Sequence, residues 1–251
     1  MKCLWCFKTE IEVTFKKKAH TIPKSLGGQR YNNNVCDECN KYFGEKGNEK
    51  YSIEEALKET FVISRKMLYR PEDGKRKIGA FKSRFFEIKE RKGKKRLVVK
   101  ESFRFDSQFQ QRLCQNFKRG LYKMYLEELN RQKGLGYDSK YDVIRDFSRF
   151  GKGDLPVFYF ERLIGMMMLF KREAETPILF FDRMKYLFSD DYFDEIEFLG
   201  HVFGFPVSIF DKNDFTKYLD KTMKIKTGFF KNMIMIKSLL DVDFTLKVMN
   251  D

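Results

Sequence analysis

Four cysteines stand in two pairs, Cys3-x-x-Cys6 and Cys36-x-x-Cys39. Two residues between thiolates let both sulfurs of one turn reach one metal, and two such turns complete the tetrahedron that zinc prefers. The pairs are further apart than the roughly 15–20 residues of a simple zinc ribbon, so a segment is inserted between them. A site of four cysteines is closed: it holds a fold and does no chemistry itself. Chemistry has to come from what lies around it. The insertion carries His20 in Ala19-His20-Thr21-Ile22-Pro23, then Gly27-Gly28, then Asn32-Asn33-Asn34. Asn40 follows the last cysteine directly. Taken alone, His20 fits a structural histidine or a zinc ligand replacing one cysteine, and Asn40 fits a helix cap.

The order of these residues carries more than each one singly. Cys3-x-x-Cys6, His20-x-x-Pro23, Gly27-Gly28 and Cys36-x-x-Cys39-Asn40-x-x-Phe43-Gly44 together resemble the HNH endonuclease family in its zinc-stapled form. The resemblance covers about the first 45 residues. It implies a ββα-metal fold, in which a hairpin presents the histidine to a helix that begins near Cys39. It implies that His20 is the general base, since a neutral imidazole takes a proton from water near pH 7. It implies that Asn40 ligates a catalytic Mg²⁺ or Mn²⁺, while Cys3, Cys6, Cys36 and Cys39 hold structural Zn²⁺. It implies an asparagine that props the histidine loop, for which Asn34 is preferred to Asn32 and Asn33. Gly27 and Gly28 make the tight turn. One position departs from the family. Many members have Asp or Glu directly before the base histidine as a metal ligand, and here that residue is Ala19. Another group, such as Glu45 or a substrate phosphate with water, then has to fill the coordination shell. A second histidine on the helix, used by other branches, is also absent.

Charge says where a polyanion would bind. The chain has 251 residues, a net charge of +14 and a pI near 9.4. Fifteen basic residues stand against four acidic ones between Arg65 and Lys100. That density attracts phosphates and releases counterions on binding. Lys16, Lys17, Lys18, Lys24, Lys75, Arg76, Lys77, Lys94, Lys95 and Arg96 are the expected nucleic-acid contacts. Phosphate contacts of this kind carry little sequence information. No run reaches about 18 apolar residues, which excludes a membrane-spanning helix. The N-terminus lacks the long apolar core of a signal peptide. The chain reads as cytoplasmic, where cysteines bind metal rather than form a disulfide framework.

The elements that must position these groups are partly legible. An aromatic fraction of 16% and 28 phenylalanines exclude a disordered chain. Ser52 followed by Glu55 has the capping-box pattern, and Ile53, Ala56, Leu57, Phe61 and Val62 recur at helical spacing. Phe81–Glu90 and Arg96–Phe103 read as a hairpin around Gly93. Phe109, Leu113, Phe117, Leu121, Tyr125 and Leu129 predict one long helix that Gly134 and Gly136 end. Tyr141–Phe150 reads as a second helix. Leu155–Phe160, Ile178–Phe181, Phe198–Phe210 and Phe229–Ile236 read as strands. Cys114 reads as a buried thiol and His201 as filler. The fold class is therefore α+β. The expected division is a zinc-bearing ββα-metal domain at 1–64, a basic hairpin region at 65–104 and a mixed α+β domain at 105–251. The expected function is metal-dependent hydrolysis of DNA phosphodiester bonds, with RNA left open as substrate. By association the family suggests restriction, antiviral defence or mobile-element work. A homodimer or a regulatory partner on the third region is a further expectation. The alternative is a zinc-dependent nucleic-acid-binding module without catalysis, which Ala19 favours.

Overall fold

The computed structural model describes residues 1–47, 51–62, 64, 82–163, 177–182, 184–238 and 241. The chain opens with a short antiparallel hairpin, β1 (Ala19–His20) and β2 (Tyr31–Asn32), followed by helix α1 (Asp37–Gly44). This is the ββα order expected. Helix α2 (Ile53–Thr60) comes next, and the Ser52 hydroxyl caps it by accepting from the Glu55 N–H at 3.1 Å. Its apolar stripe faces inward, with Ile53, Ala56, Leu57, Phe61 and Val62 all buried.

The basic hairpin is β3 (Phe86–Arg91) and β4 (Lys94–Val99). Lys92 and Gly93 both have positive φ in the turn between them, where glycine is at ease and lysine is not. β3 begins five residues later than the sequence pattern suggests, and β4 begins two residues earlier. Helix α3 (Ser107–Lys133) spans 27 residues, about 40 Å at 1.5 Å per residue. Asp106 caps its start and Gly134, with φ of 74°, ends it. A shorter helix, α4 (Asp142–Ser148), follows.

The rest is a five-stranded antiparallel sheet in the order β6-β7-β8-β5-β9. Its strands are β5 (Phe158–Arg162), β6 (Leu179–Phe181), β7 (Phe193–Phe198), β8 (His201–Pro206) and β9 (Phe230–Met235). Helix α5 (Lys212–Lys226) lies between β8 and β9 in the chain. Alternation decides which residues meet which helix. Ile196, Phe198, Phe203 and Phe205 join the core with α3, while Phe158, Phe160, Phe193 and Val202 meet Tyr218 of α5 on the other face. Tyr218 stacks on Phe193 at 4.3 Å between ring centroids. The expected strand Phe198–Phe210 is broken: Leu199 and Gly200, both at positive φ, turn β7 back into β8. His201 is buried, with its ring Nε2 2.7 Å from the Ser64 hydroxyl; burial pushes its pKa down to about 3. Cys114 is buried too, and burial pushes its thiol up to about 12. Among the described residues no helix is long and apolar enough to cross a membrane.

The main core runs through the first region and the third without a break. It joins Trp5, Leu26, Phe43 and Leu57 to Leu113, Phe117, Leu121 and Tyr125 of α3. Helices α2 and α3 approach closely at Gly120. A Cβ there would stand 3.0 Å from the Leu57 Cβ and 3.2 Å from the Ile53 carbonyl of α2. Gly120→Val is expected to wedge the two helices apart and cost about 2 kcal/mol. A thermal melt should show the midpoint lowered by about 4–8 °C. An unchanged midpoint would mean that the helices do not meet there.

Candidate active site and metal centre

The four cysteine sulfurs lie within 4.8 Å of one another. Cys6 Sγ and Cys36 Sγ are 3.9 Å apart. A tetrahedron with zinc–sulfur bonds of about 2.3 Å has edges of about 3.8 Å. The donor set and its spacing therefore fit zinc. Cys3, Cys36 and Cys39 are buried and Cys6 is partly so. The Cys36 N–H donates to Cys3 Sγ at 3.4 Å, and Arg149 Nε donates to Cys39 Sγ at 3.3 Å. Such donors stabilise thiolate charge. A hydrogen bond from Cys39 pulls the Cys3 thiol down to about 4, and the same bond pushes Cys39 up.

The cysteine cluster sets the entry of α1. Cys36 is its N-cap residue, and Asp37 lies in its first turn. The Asp37 carboxylate accepts from the Thr14 hydroxyl at 2.5 Å and from the N–H groups of Lys16 and Lys17 at 3.1 and 2.7 Å. These bonds tie the Lys16–Lys18 segment across the helix start and leave all three lysine side chains exposed. That segment leads directly into β1.

On β1, Ala19 pairs with Asn32 and His20 with Tyr31. Ala19 is buried, and its methyl offers no ligand atom. After the strand the chain turns sharply. Gly27 has φ of 94°, and a Cβ on Gly28 would stand 1.9 Å from the Ile22 carbonyl oxygen. Neither glycine tolerates a side chain in this turn. The backbone of Gly28 in turn forms a hydrogen bond that favours the charged His20 ring. Nδ1 of His20 is buried with no hydrogen-bond partner among the described residues. Burial lowers the His20 pKa below its ordinary 6.5, and the charges of Lys123 and Lys24 lower it further; Glu54 and Gly28 work the other way. The ring is thus biased toward its neutral form.

Asn40 lies inside α1 rather than at its cap, with its N–H donated to the Cys36 carbonyl at 2.9 Å. Its side chain is half-buried and has no hydrogen-bond partner among the described residues. The three neighbouring asparagines separate clearly. Asn34, preferred from the sequence, turns its side chain to Tyr137. Asn32 is buried, and its Oδ1 accepts from the Asn34 N–H at 3.0 Å and from Asn130 at 3.4 Å. Its own amide donates to the Glu127 carbonyl at 3.3 Å. Asn32 therefore locks the strand opposite His20. Glu45, the carboxylate named from the sequence, caps the end of α1, is exposed and pairs with Lys41 at 3.6 Å.

Sequence reasoning missed the groups that α3 contributes. Lys123 is buried, and its ammonium donates to the His20 carbonyl at 2.6 Å, while pairing with Glu54 at 3.0 Å and Glu127 at 3.1 Å. Burial opposes its charge, but the two carboxylates win and raise its pKa. Glu127 also accepts from Trp5 Nε1 at 2.8 Å. Burial nonetheless pushes its pKa up to about 7. Glu128 accepts from the Thr21 hydroxyl, next to His20 in the chain, and from Arg131 at 2.8–2.9 Å. No local spacing connects residues about a hundred positions apart, so no motif could have revealed these partners.

Of the expected phosphate contacts, Lys24 is exposed and its charge reaches the His20 ring. Lys18 lies over the Tyr31 ring at 4.8 Å. Arg96 is exposed on β4. Lys75, Arg76 and Lys77 lie outside the described residues, as do the side chains of Lys94 and Lys95.

Against known families, residues 3–54 match the HNH endonuclease family. That stretch holds both cysteine pairs, β1, β2, α1 and the start of α2. Comparisons with curated proteins and with solved structures returned no match.

Proposed function

We propose that the chain is a metal-dependent endonuclease, with the HNH-type unit of residues 3–54 hydrolysing DNA phosphodiester bonds. The observation that carries this reading is the His20 ring: it is biased toward neutrality, and Nδ1 has no partner among the described residues, in the same ββα unit as a zinc-type cysteine cluster. The neutral His20 ring accepts the proton of the attacking water. Lys123 holds the His20 carbonyl, and Asn32, rather than Asn34, keeps the pairing strand in place. The cysteine centre is structural. Asn40 offers an amide oxygen to Mg²⁺ or Mn²⁺, which when bound would polarise the scissile phosphate and stabilise the leaving oxygen. Lys16, Lys17, Lys18 and Lys24 grip flanking phosphates, and Arg96 extends that grip along the basic hairpin. RNA is the second substrate to try, since phosphate contacts do not distinguish it.

The test is plasmid nicking by zinc-loaded protein in Mg²⁺, Mn²⁺ and chelator, followed across pH. Cutting requires the neutral imidazole. Because burial and two lysines hold the His20 pKa below 6.5, the rate is expected to reach half its maximum below pH 6.5 and to fall as pH drops through that value. A half-point well above 6.5 would assign the base to another group. The buried methyl of Ala19 favours a second reading, a nucleic-acid-binding module without catalysis. That reading expects salt-sensitive binding and no cutting in any metal.

A further inference from the structure

A cation at Asn40 needs an anionic ligand that Ala19 does not provide. Mg²⁺ sites on proteins commonly use one or two carboxylates together with substrate phosphate and water. Most carboxylates near the hairpin and α1 are already committed. Asp37 is bonded to the Thr14 hydroxyl and two backbone N–H groups. Glu127 is sealed in the core, Glu128 is held by Thr21 and Arg131, and Glu45 is exposed at the far end of α1.

Glu54, on the first turn of α2, differs from all of these. Its Oε1 pairs with Lys123, the same ammonium that holds the His20 carbonyl. Its Oε2 has no hydrogen-bond partner among the described residues, and the side chain is 24% exposed. Oε2 lies 3.9 Å from the point where a side chain on Gly44 would begin. Gly44 is one turn after Asn40 on α1, so the two share a helix face. Its φ is not positive, so the backbone does not require glycine there. What the missing side chain does is leave the space between Glu54 and the Asn40 face open.

Resting on the nuclease reading of this same site, we propose that Glu54 is the carboxylate ligand of the catalytic cation, replacing the acidic residue that Ala19 lacks. The ligand thus comes from α2 instead of from β1, with Lys123 orienting its other oxygen.

Mn²⁺ titration of the zinc-loaded full chain, read by the electron paramagnetic resonance signal of free Mn²⁺, tests this without any need for turnover. Wild type is expected to bind Mn²⁺, and Glu54→Gln to bind it at least tenfold more weakly with its zinc content unchanged. Glu54→Gln also removes a partner of Lys123, so Gly44→Leu serves as the second variant. It fills the open space from an exposed helix position and leaves the ion pair intact. It should weaken Mn²⁺ to a similar degree. Wild-type affinity in a folded Glu54→Gln, or in Gly44→Leu, overturns the assignment, as does wild type that binds no Mn²⁺. Plasmid nicking run alongside separates the two ideas. Cutting by wild type with Mn²⁺ affinity indifferent to Glu54 removes the ligand assignment and keeps the nuclease. Glu54-dependent Mn²⁺ binding without cutting of any nucleic acid keeps the cation site and removes the nuclease.

Discussion

Replacing His20 by alanine is expected to lower plasmid cutting by about 10²–10⁴-fold, the range a general base contributes. The argument rests on what the ring does and does not do for the fold. Its Nδ1 bonds to nothing among the described residues, and the ring is only half-buried. Apart from the bond between the ring and the Gly28 backbone, the contacts that position this stretch run through the main chain: the His20 carbonyl to Lys123, and the pairing with Tyr31. Both survive the substitution. The His20→Ala protein should therefore keep its zinc, its DNA affinity and, within a few degrees, its melting temperature, while losing the reaction. Nicking rates, zinc content and a thermal melt on one preparation decide it. Undiminished cutting would remove His20 from the chemistry. A collapsed melt would make it a structural histidine, the role a lone histidine in this position would otherwise fill.

The second large effect is expected at the metal centre. Cys39→Ser should abolish stoichiometric zinc and destabilise far more than the HNH-type unit. Structural zinc contributes on the order of 10 kcal/mol of apparent binding energy that is coupled to folding. Here the loss is compounded, because Arg149 donates to Cys39 Sγ and would keep its charge without the thiolate. The main core runs from Cys3 and Trp5 through Phe43 to α3, so unfolding cannot stop at residue 64. Even half of that energy would lower the melting midpoint by about 10–20 °C for a chain of this size. Trp5, the sole tryptophan, lies between the first two cysteines, packs on Phe43 at 4.9 Å and bonds Glu127 of α3. Its fluorescence should change in the same transition as the far-ultraviolet dichroism. Two separated transitions would show that the first region folds independently of α3.

Much of the framework could be read from local spacing. The two Cys-x-x-Cys pairs, Gly27-Gly28 and the position of Asn40 behind the second pair are short-range signals, and the structure places the four sulfurs in one cluster on a ββα unit. The same holds for α3, whose aromatic and leucine stripe is buried from Leu113 to Leu129, and for the hairpin around Gly93. Where the reading fell short, the deciding partner was distant. Strand β7, Phe-Asp-Glu-Ile-Glu-Phe, carries three acidic residues, which argues against a central strand. Tyr125 bonds Asp194, Tyr218 and Lys226 bond Glu195, and Arg162 bonds Glu197, so each buried carboxylate is matched from another element. Helix α5 escaped notice although Asp211 and Asp214 form a capping box at its start.

The candidate site divides along the same line. The residue types that can bind zinc, accept a proton or ligate a hard cation are set by the sequence, because motif spacing is a property of one turn of chain. Which asparagine locks the hairpin, which lysine holds the His20 carbonyl and which carboxylate faces the open side of α1 were decided by tertiary packing alone. Lys123 reaches the histidine strand, and Glu127 and Asn130 reach the strand paired with it, only because α3 is buried against the hairpin, and those contacts join positions about a hundred residues apart. A side chain's role there follows from the charges and cavities it meets, and those are created when the helices close.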